Sequence, residues 1–263
     1  MPTGTYNHPL FGLVKFETDN KTKWVRGDHI KFISGFNDSD IQKIAIPQLV
    51  GIHGSKKGEV QFHKRGHKQL LAVFSDIEKL NLLDRIKKFG TLNKRLRKPT
   101  NGALSKLPSN HAFGTAIDLN DDDGCLGCTI APLAPLFEKF GFLWGKSFND
   151  PMHFEIKTFI DNPKSVVEPV AVALDENALN IDAVNFMGHL YAPVDMIAGL
   201  MTVSEIDGQP TKVLLEGKRE NQLADVTLIG SRPYVTLASA AGVLGTAIDF
   251  DNTSKRAALT SLV

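Results

Sequence analysis

The chain has 263 residues, 42% of them apolar and 22% charged, with a formal net charge of +1; this is ordinary globular composition, with length for one or two domains. It contains no run of 18 or more apolar residues, and its opening MPTGTYNHPL lacks the basic and apolar regions of a secretory signal, so the expectation is a protein made in the cytosol with no spanning helix and no export address. Charge is uneven: residues 1–160 carry 23 Lys and Arg against 16 Asp and Glu, and residues 161–263 carry 7 against 13. A basic first part suits a polyanionic matrix such as a bacterial wall, but no basic face interleaved with aromatics argues for nucleic acid.

The first strong periodicity lies in HKRGHKQLLAVFSDIEKLNLLDRIKKFG, where Leu70, Leu71, Val73, Phe74, Ile77, Leu80, Leu83 and Ile86 recur at helical spacing up to Gly90. This predicts an amphipathic helix with an interruption near Asn81. Next comes SNHAFGTAID, residues 109–118, in which His111 and Asp118 flank Gly114, Thr115 and Ala116. A catalytic zinc site needs three lone-pair donors, an open position and a nearby carboxylate. His111 and Asp118 supply two donors if the small residues let the chain turn tightly, and alternation with Ile117 and Leu119 turns Asp118 away from the core; a plain turn is the other reading.

Asp121, Asp122 and Asp123 are expected to be a solvated acidic patch rather than a calcium loop. Cys125 and Cys128 are the only cysteines; without a second Cys or His pair at zinc-finger spacing they are expected to be two free thiols, with a reversible disulfide as the alternative. Leu133, Leu136, Phe137 and Phe140 line a short helix closed by Gly141. In NDPMHFEIK, Met152, Phe154 and Ile156 alternate with His153, Glu155 and Lys157, so a strand is expected with His153 on the face opposite the core. His153 is the candidate third donor. Asp150, on a turn between Asn149 and Pro151, is the candidate general base, and Glu155 the group that orients a ligand. Trp144 and Phe113 are expected to pack beside the site, and His8, His29, His53, His63, His67 and His189 to be surface or hydrogen-bonded residues.

The segment IDNPKSVVEP, residues 160–169, falls where the charge sign changes and is expected to link two domains, 1–165 and 166–263. The second contains a repeat at an offset of about 43. Gly188 to Gly199 aligns with Gly230 to Gly242 through Tyr191 and Tyr234, and Asp207 and Lys212 match Asp251 and Arg256. Each copy predicts a strand, a short helix and a hairpin, with no cluster suited to chemistry. The overall expectation is α+β: a short antiparallel sheet with flanking helices, then a small duplicated module.

SNHAFGTAID fits Ser-x-His-x-x-Gly-x-Ala-x-Asp, and GFLWGKSFNDPMHFEI fits Gly-Phe-x-Trp-Gly followed by Asp-x-x-His-Phe-Glu. Together, over roughly residues 40–160, they resemble the M15 zinc peptidases of peptidoglycan, in particular the L-alanyl-D-glutamate peptidase branch common in phage endolysins. The resemblance implies a Zn2+ cofactor held by His111, Asp118 and His153, with Asp150 as catalytic acid and base. It also implies an arginine at the substrate carbonyl; Arg95 is the best match and Arg97 the alternative. The D-Ala-D-Ala branches more often carry Glu three residues before the last His, so Asp150 favours the endopeptidase. The repeat, through GHLYAPVDMIAGL, SRPYVTLASAAGVLG and IDFDNTSKRAAL, resembles the copper amine oxidase N-terminal-like domain and implies no copper here.

The expected partner is therefore the bacterial peptidoglycan stem peptide, with no nucleic acid and no membrane insertion. The expected setting is a phage endolysin in the host cytoplasm before its release to the wall, or a lysin carried with phage or injection-particle tail proteins. Two rivals remain: a D-alanyl-D-alanine carboxypeptidase, and a non-catalytic wall-binding or structural tail protein. The second leaves Asp150 without a purpose, and structural zinc usually has four protein ligands.

Overall fold

The computed structural model describes residues 1–19, 29–98, 105–206, 209, 211–217, 221–229 and 232–262. Contacts divide the chain into two compact units, residues 1–78 with 82–164, and residues 79–81 with 165–263. Each combines short helices with sheets that are antiparallel but for one strand pair, so the architecture is α+β. No described helix is long and apolar enough to cross a membrane.

The first unit begins with a three-stranded antiparallel sheet, β1 (Thr3–His8), β2 (Gly12–Thr18) and β3 (Ile30–Ser34). Alternation along β2 and β3 turns Val14, Phe16, Ile30 and Phe32 inward, where they pack on Leu96, Ala112 and Phe113. This sheet therefore backs the segment that carries His111. A hairpin of β4 (Ile41–Ala45) and β5 (Glu59–His63) follows, and then α1 (His67–Lys79), which buries Leu70, Val73, Phe74 and Ile77. The helical period continues to Ile86 in the sequence, but α1 stops at Lys79. Asn81 takes the left-handed conformation (φ 54°), which asparagine tolerates better than most residues. The interruption expected near Asn81 is thus present; beyond it the chain makes only a 3-10 turn, Leu83–Arg85, after which Ile86 is buried without being helical.

The chain then builds a four-stranded antiparallel sheet from β6 (Phe89–Gly90), β7 (Ala116–Leu119), β8 (Phe142–Trp144) and β9 (His153–Ile156), in the order β6-β7-β9-β8. The short helix α2 (Ala134–Lys139) precedes β8, and Gly141 (φ 78°) ends it. Beneath this sheet Phe154 stacks on Phe137 at 4.0 Å, with Phe74 and Phe142 edge-on to Phe137. Filling one face with aromatics leaves the alternate residues Asp118, His153 and Glu155 on the other.

Cys125 and Cys128, expected as free thiols, are joined in a disulfide. Leu126 and Gly127 both have positive φ, and the Asp123 carboxylate accepts the N–H groups of Cys125, Gly127 and Thr129. That tight loop brings the two Cα atoms to 5.5 Å, within the range a disulfide spans. Lys88 pairs with Asp121 and Asp122, so the acidic run is divided between ion pairs and turn hydrogen bonds.

The second unit centres on a seven-stranded sheet, introduced in chain order by β10 (Val167–Leu174), β11 (Asn177–Phe186) and β12 (His189–Pro193). Part of the expected linker is thus strand. Pro169 lies where β10 pairs with β11 alone, before β19 joins at Ala171, an edge position where a missing N–H costs no ladder bond. After α3 (Val194–Ile197), strands β13 (Thr202–Glu205), β14 (Lys212–Glu216) and β15 (Asn221–Asp225) form a separate three-stranded sheet. Then β16 (Thr227–Ile229), β17 (Arg232–Thr236), α4 (Leu237–Leu244), β18 (Thr246–Asp251) and β19 (Arg256–Ser261) complete the order β16-β17-β12-β11-β10-β19-β18.

The repeat is visible as β12-α3-β13-β14 and β17-α4-β18-β19, and its two tyrosine-bearing strands, β12 and β17, pair with each other antiparallel. The copies differ in where their hairpins go: β13–β14 leaves for the small sheet, while β18–β19 stays in the large one. Asp207 and Gly230 of the alignment lie outside the described residues. No metal-capable cluster occurs in this unit among the described residues.

Candidate metal centre

His111 sits on a one-turn 3-10 helix, Asn110–Phe113. Ser109 caps the turn by accepting the His111 N–H, and Gly114 ends it in the left-handed conformation (φ 63°). A Cβ on Gly114 would meet Ile41 and the His63 backbone at 3.1 Å, so this glycine serves chain reversal and packing rather than approach to an ion. The chain enters β7 at once, and Asp118 stands directly opposite His153 of β9. Facing residues on neighbouring strands share a face, so register alone brings these two side chains together.

The three side chains converge. Asp118 Oδ1 lies 3.0 Å from His111 Nε2 and 2.9 Å from His153 Nδ1, and the two imidazole nitrogens are 3.1 Å apart. His111 and His153 are 4% and 6% exposed. The outer nitrogens show which way the rings are protonated. His111 Nδ1 meets the Thr91 carbonyl, which can only accept, so the proton sits on Nδ1 and Nε2 offers a lone pair. His153 Nε2 meets the Glu155 carboxylate at 2.9 Å, so its proton faces Glu155 and Nδ1 points inward. Asp118 Oδ1, His111 Nε2 and His153 Nδ1 then face one point, where either a shared proton or a cation can hold them together.

Without an ion the two carboxylates favour the charged ring: burial pushes the His153 pKa down, but hydrogen bonds to Asp118 and Glu155 outweigh it and raise it to about 9, so the Nδ1 position carries a proton that a bound cation would replace. Burial likewise pushes Asp118 up, while His111 and His153 hold it well below the usual carboxylate range. Two imidazoles and one carboxylate are a donor set that suits zinc and leaves a position open.

The centre opens into a cleft of about 220 Å³ lined by Lys88 to Asn93, Arg95, His111, Asp118 and Asp121. Arg95 is 9% exposed and donates from one guanidinium nitrogen to the Leu96 carbonyl; burial lowers its pKa, against the attraction of Asp118 and Asp150. Arg97 instead bonds Tyr6 and the Pro108 carbonyl, so Arg95 is the arginine in the cleft. Asp150 is half-buried on the turn before β9, its N–H held by the Gly145 carbonyl. Burial, with Asp118 in support, raises its pKa, and His153, Lys98 and His111 pull the other way. It lies outside the three-donor group. Trp144 donates to the Pro151 carbonyl, and Phe113 is fully buried against Phe11, Phe32 and Phe36, so both pack beside the site.

Residues that sequence reasoning passed over are Thr91, which orients His111, and Asn110 and His8. His8 Nε2 bonds Asn110 Oδ1 at 2.9 Å, and the Asn110 side chain is near enough to Glu155 to help hold its pKa below the usual carboxylate range, with His153 the larger influence. Asn110 lies inside the quoted motif, but nothing in the pattern marks it, and His8 is 102 residues away from it.

Residues 103–156 match a family model of the M15 peptidases described as D-alanyl-D-alanine carboxypeptidase. The match contains His111, Asp118, Asp150 and His153 and supports a metallopeptidase-type hydrolase acting on D-Ala-containing peptides. No curated protein and no solved structure matches the chain.

Proposed function

We propose that the first unit is a zinc-dependent peptidoglycan hydrolase that cuts the stem peptide at the L-Ala–D-Glu bond. The observation that carries it is the trio His111 Nε2, Asp118 Oδ1 and His153 Nδ1 meeting within 3.1 Å, with the Asp150 carboxylate near enough for their charges to act on it. These three residues would hold the ion, which when bound supplies Lewis acidity toward the scissile carbonyl and the attacking water.

Every other role falls to the chain. Asp150, whose proton affinity is raised by burial, takes the proton of the attacking water and passes it to the leaving amine. Arg95 donates to the carbonyl oxygen as charge develops there. Thr91 and Glu155 keep the imidazoles of His111 and His153 turned inward. The segment from Lys88 to Asn93 lines the cleft, with β6 at the open edge of its sheet, where an extended peptide lies naturally.

The description of the matched family favours a second reading, release of terminal D-Ala by a carboxypeptidase. The two are separated by digesting purified peptidoglycan with and without chelator and analysing the released ends by mass spectrometry. New N-terminal D-Glu supports the endopeptidase, and free D-Ala the carboxypeptidase. We further infer a phage lysin, free or carried on a particle, with the second unit as a wall-targeting module; deleting it should weaken binding to isolated walls.

A further inference from the structure

The hydrogen bonds behind His153 run in one direction, and they start outside the family match. The Leu10 N–H points at His8 Nδ1, 3.0 Å away. A backbone N–H only donates, so Nδ1 accepts and the ring proton of His8 sits on Nε2. His8 is 3% exposed at the end of β1. Its Nε2–H donates to Asn110 Oδ1, which fixes the orientation of that amide and leaves its NH2 for Glu155, whose pKa the Asn110 side chain lowers. Glu155 accepts from His153 Nε2–H. The other ring nitrogen of His153, Nδ1, faces Asp118 and His111.

We propose that His8 and Asn110 are positioning residues for the metal centre, acting through Glu155 to hold the His153 ring with Nδ1 turned toward the ion site. This rests on the reading of the trio as a metal site. Each link has one permitted direction because the first donor is a backbone amide, which has no alternative protonation. If the amide of Asn110 turned over, its oxygen would face the Glu155 carboxylate and that oxygen pair would repel. Asn110 also has a local role: its carbonyl accepts from Thr115 N–H and Oγ1, tying the turn that bears His111. The N-terminal sheet, on this view, is part of the metal centre rather than an appendage to it.

His8 also packs against Phe113 at 4.2 Å and Phe11 at 4.8 Å, so the test must separate packing from hydrogen bonding. His8→Phe keeps a ring there but offers no donor, His8→Gln restores one, and Asn110→Leu removes the amide. Full-length protein is titrated with Co2+ and with Zn2+ against a competing chelator, and the melting temperature of the metal-free form is recorded for each variant. The expected result is a 10- to 100-fold loss of affinity in His8→Phe and Asn110→Leu, the range typical of outer-shell partners. His8→Gln should lie near the parent, and the ligand-field spectrum of bound Co2+ should change in the first two. Affinities within twofold of the parent in both variants overturn the proposal. So does a loss that merely tracks a lowered metal-free melting temperature and that His8→Gln fails to restore. A parent protein that binds neither ion overturns the metal-site reading itself, a separate failure.

Discussion

His111 Nε2 and His153 Nδ1 face each other across 3.1 Å, each with its other nitrogen committed to an acceptor, and Asp118 Oδ1 lies within 3.0 Å of both. Without an ion the cluster is held by a proton on His153, whose pKa its two carboxylate partners raise to about 9, and a cation at the centre takes that proton's place. Zinc should therefore bind with a stoichiometry of one and raise the melting temperature, by an amount equivalent to about 2.7 kcal/mol at a hundredfold excess over Kd. Asp118→Ala and His153→Ala should each abolish both effects. Elemental analysis after dialysis, with thermal melts in zinc and in chelator, checks this; a melting curve that ignores both additives would refute it.

Asp150 should matter to turnover and little to metal loading. Asp150→Asn is expected to lower hydrolysis by about 10²- to 10⁴-fold, the usual span for a lost acid–base group, while retaining zinc. Because burial raises the Asp150 pKa, the acid limb of kcat/KM should fall at higher pH than an ordinary aspartate gives, since activity needs the ionised form. Rate–pH profiles of the parent and of Asp150→Glu test the assignment, and an identical acid limb in both would count against it.

Gly145 carries a constraint that is steric rather than conformational. A Cβ there would stand 2.2 Å from the Asp150 carbonyl oxygen and 3.0 Å from His153 Cβ. Gly145→Ala must therefore displace the general base and a ligand together. Loss of most hydrolysis is expected, with a stability cost of about 1–3 kcal/mol as for other overpacked sites. Zinc titration and urea unfolding of the variant provide the measurement; an active, unperturbed Gly145→Ala protein would show that the Gly145–Asp150 turn yields cheaply.

His63, 2% exposed beside Phe11, Phe36 and Phe159, gives the first unit an acid sensitivity of its own. Burial lowers its pKa to about 4, only partly offset by Asp40. Above the ordinary histidine pKa of about 6.5 the ring is neutral whether the chain is folded or not, and stability is unaffected. Between about 6.5 and 4 the unfolded chain takes a proton that the folded one resists, so stability falls as pH falls, by about 3 kcal/mol at the end of that window. Unfolding curves of the parent and of His63→Gln at pH 7 and pH 4.5 should show a steeper decline in the parent.

How much of this was legible in the sequence follows from how local each signal is. His111, Asp118 and His153 could be placed because their spacing encodes a turn and two strands whose alternation turns polar residues away from Ile117, Leu119 and Phe154. The helix breaks at the interruption expected near Asn81, but the spacing of Leu83 and Ile86 beyond it marks a 3-10 turn and tertiary burial, which periodicity does not distinguish from more helix. The disulfide stood only as the alternative to free thiols because its geometry comes from positive φ at Leu126 and Gly127. His8 escaped for the opposite reason: it meets Asn110 only after a separate sheet has formed and packed on Ala112 and Phe113. Chemistry near a motif can be read from spacing; support that arrives from another sheet cannot.

In the second unit β10, the first strand, lies between β11 and the last strand, β19, and pairs with β19 in parallel from Ala171 to Leu174. During synthesis one edge of β10 must wait, with its N–H and C=O groups unpaired, until nearly the whole unit has left the ribosome. Loop closure over that distance makes the step late, and an uncovered strand edge is where neighbouring chains add on. A nonsense change or proteolytic nick before Arg256 would therefore do more than shorten the protein. It would release chains with a strand-shaped vacancy, prone to fill it with one another.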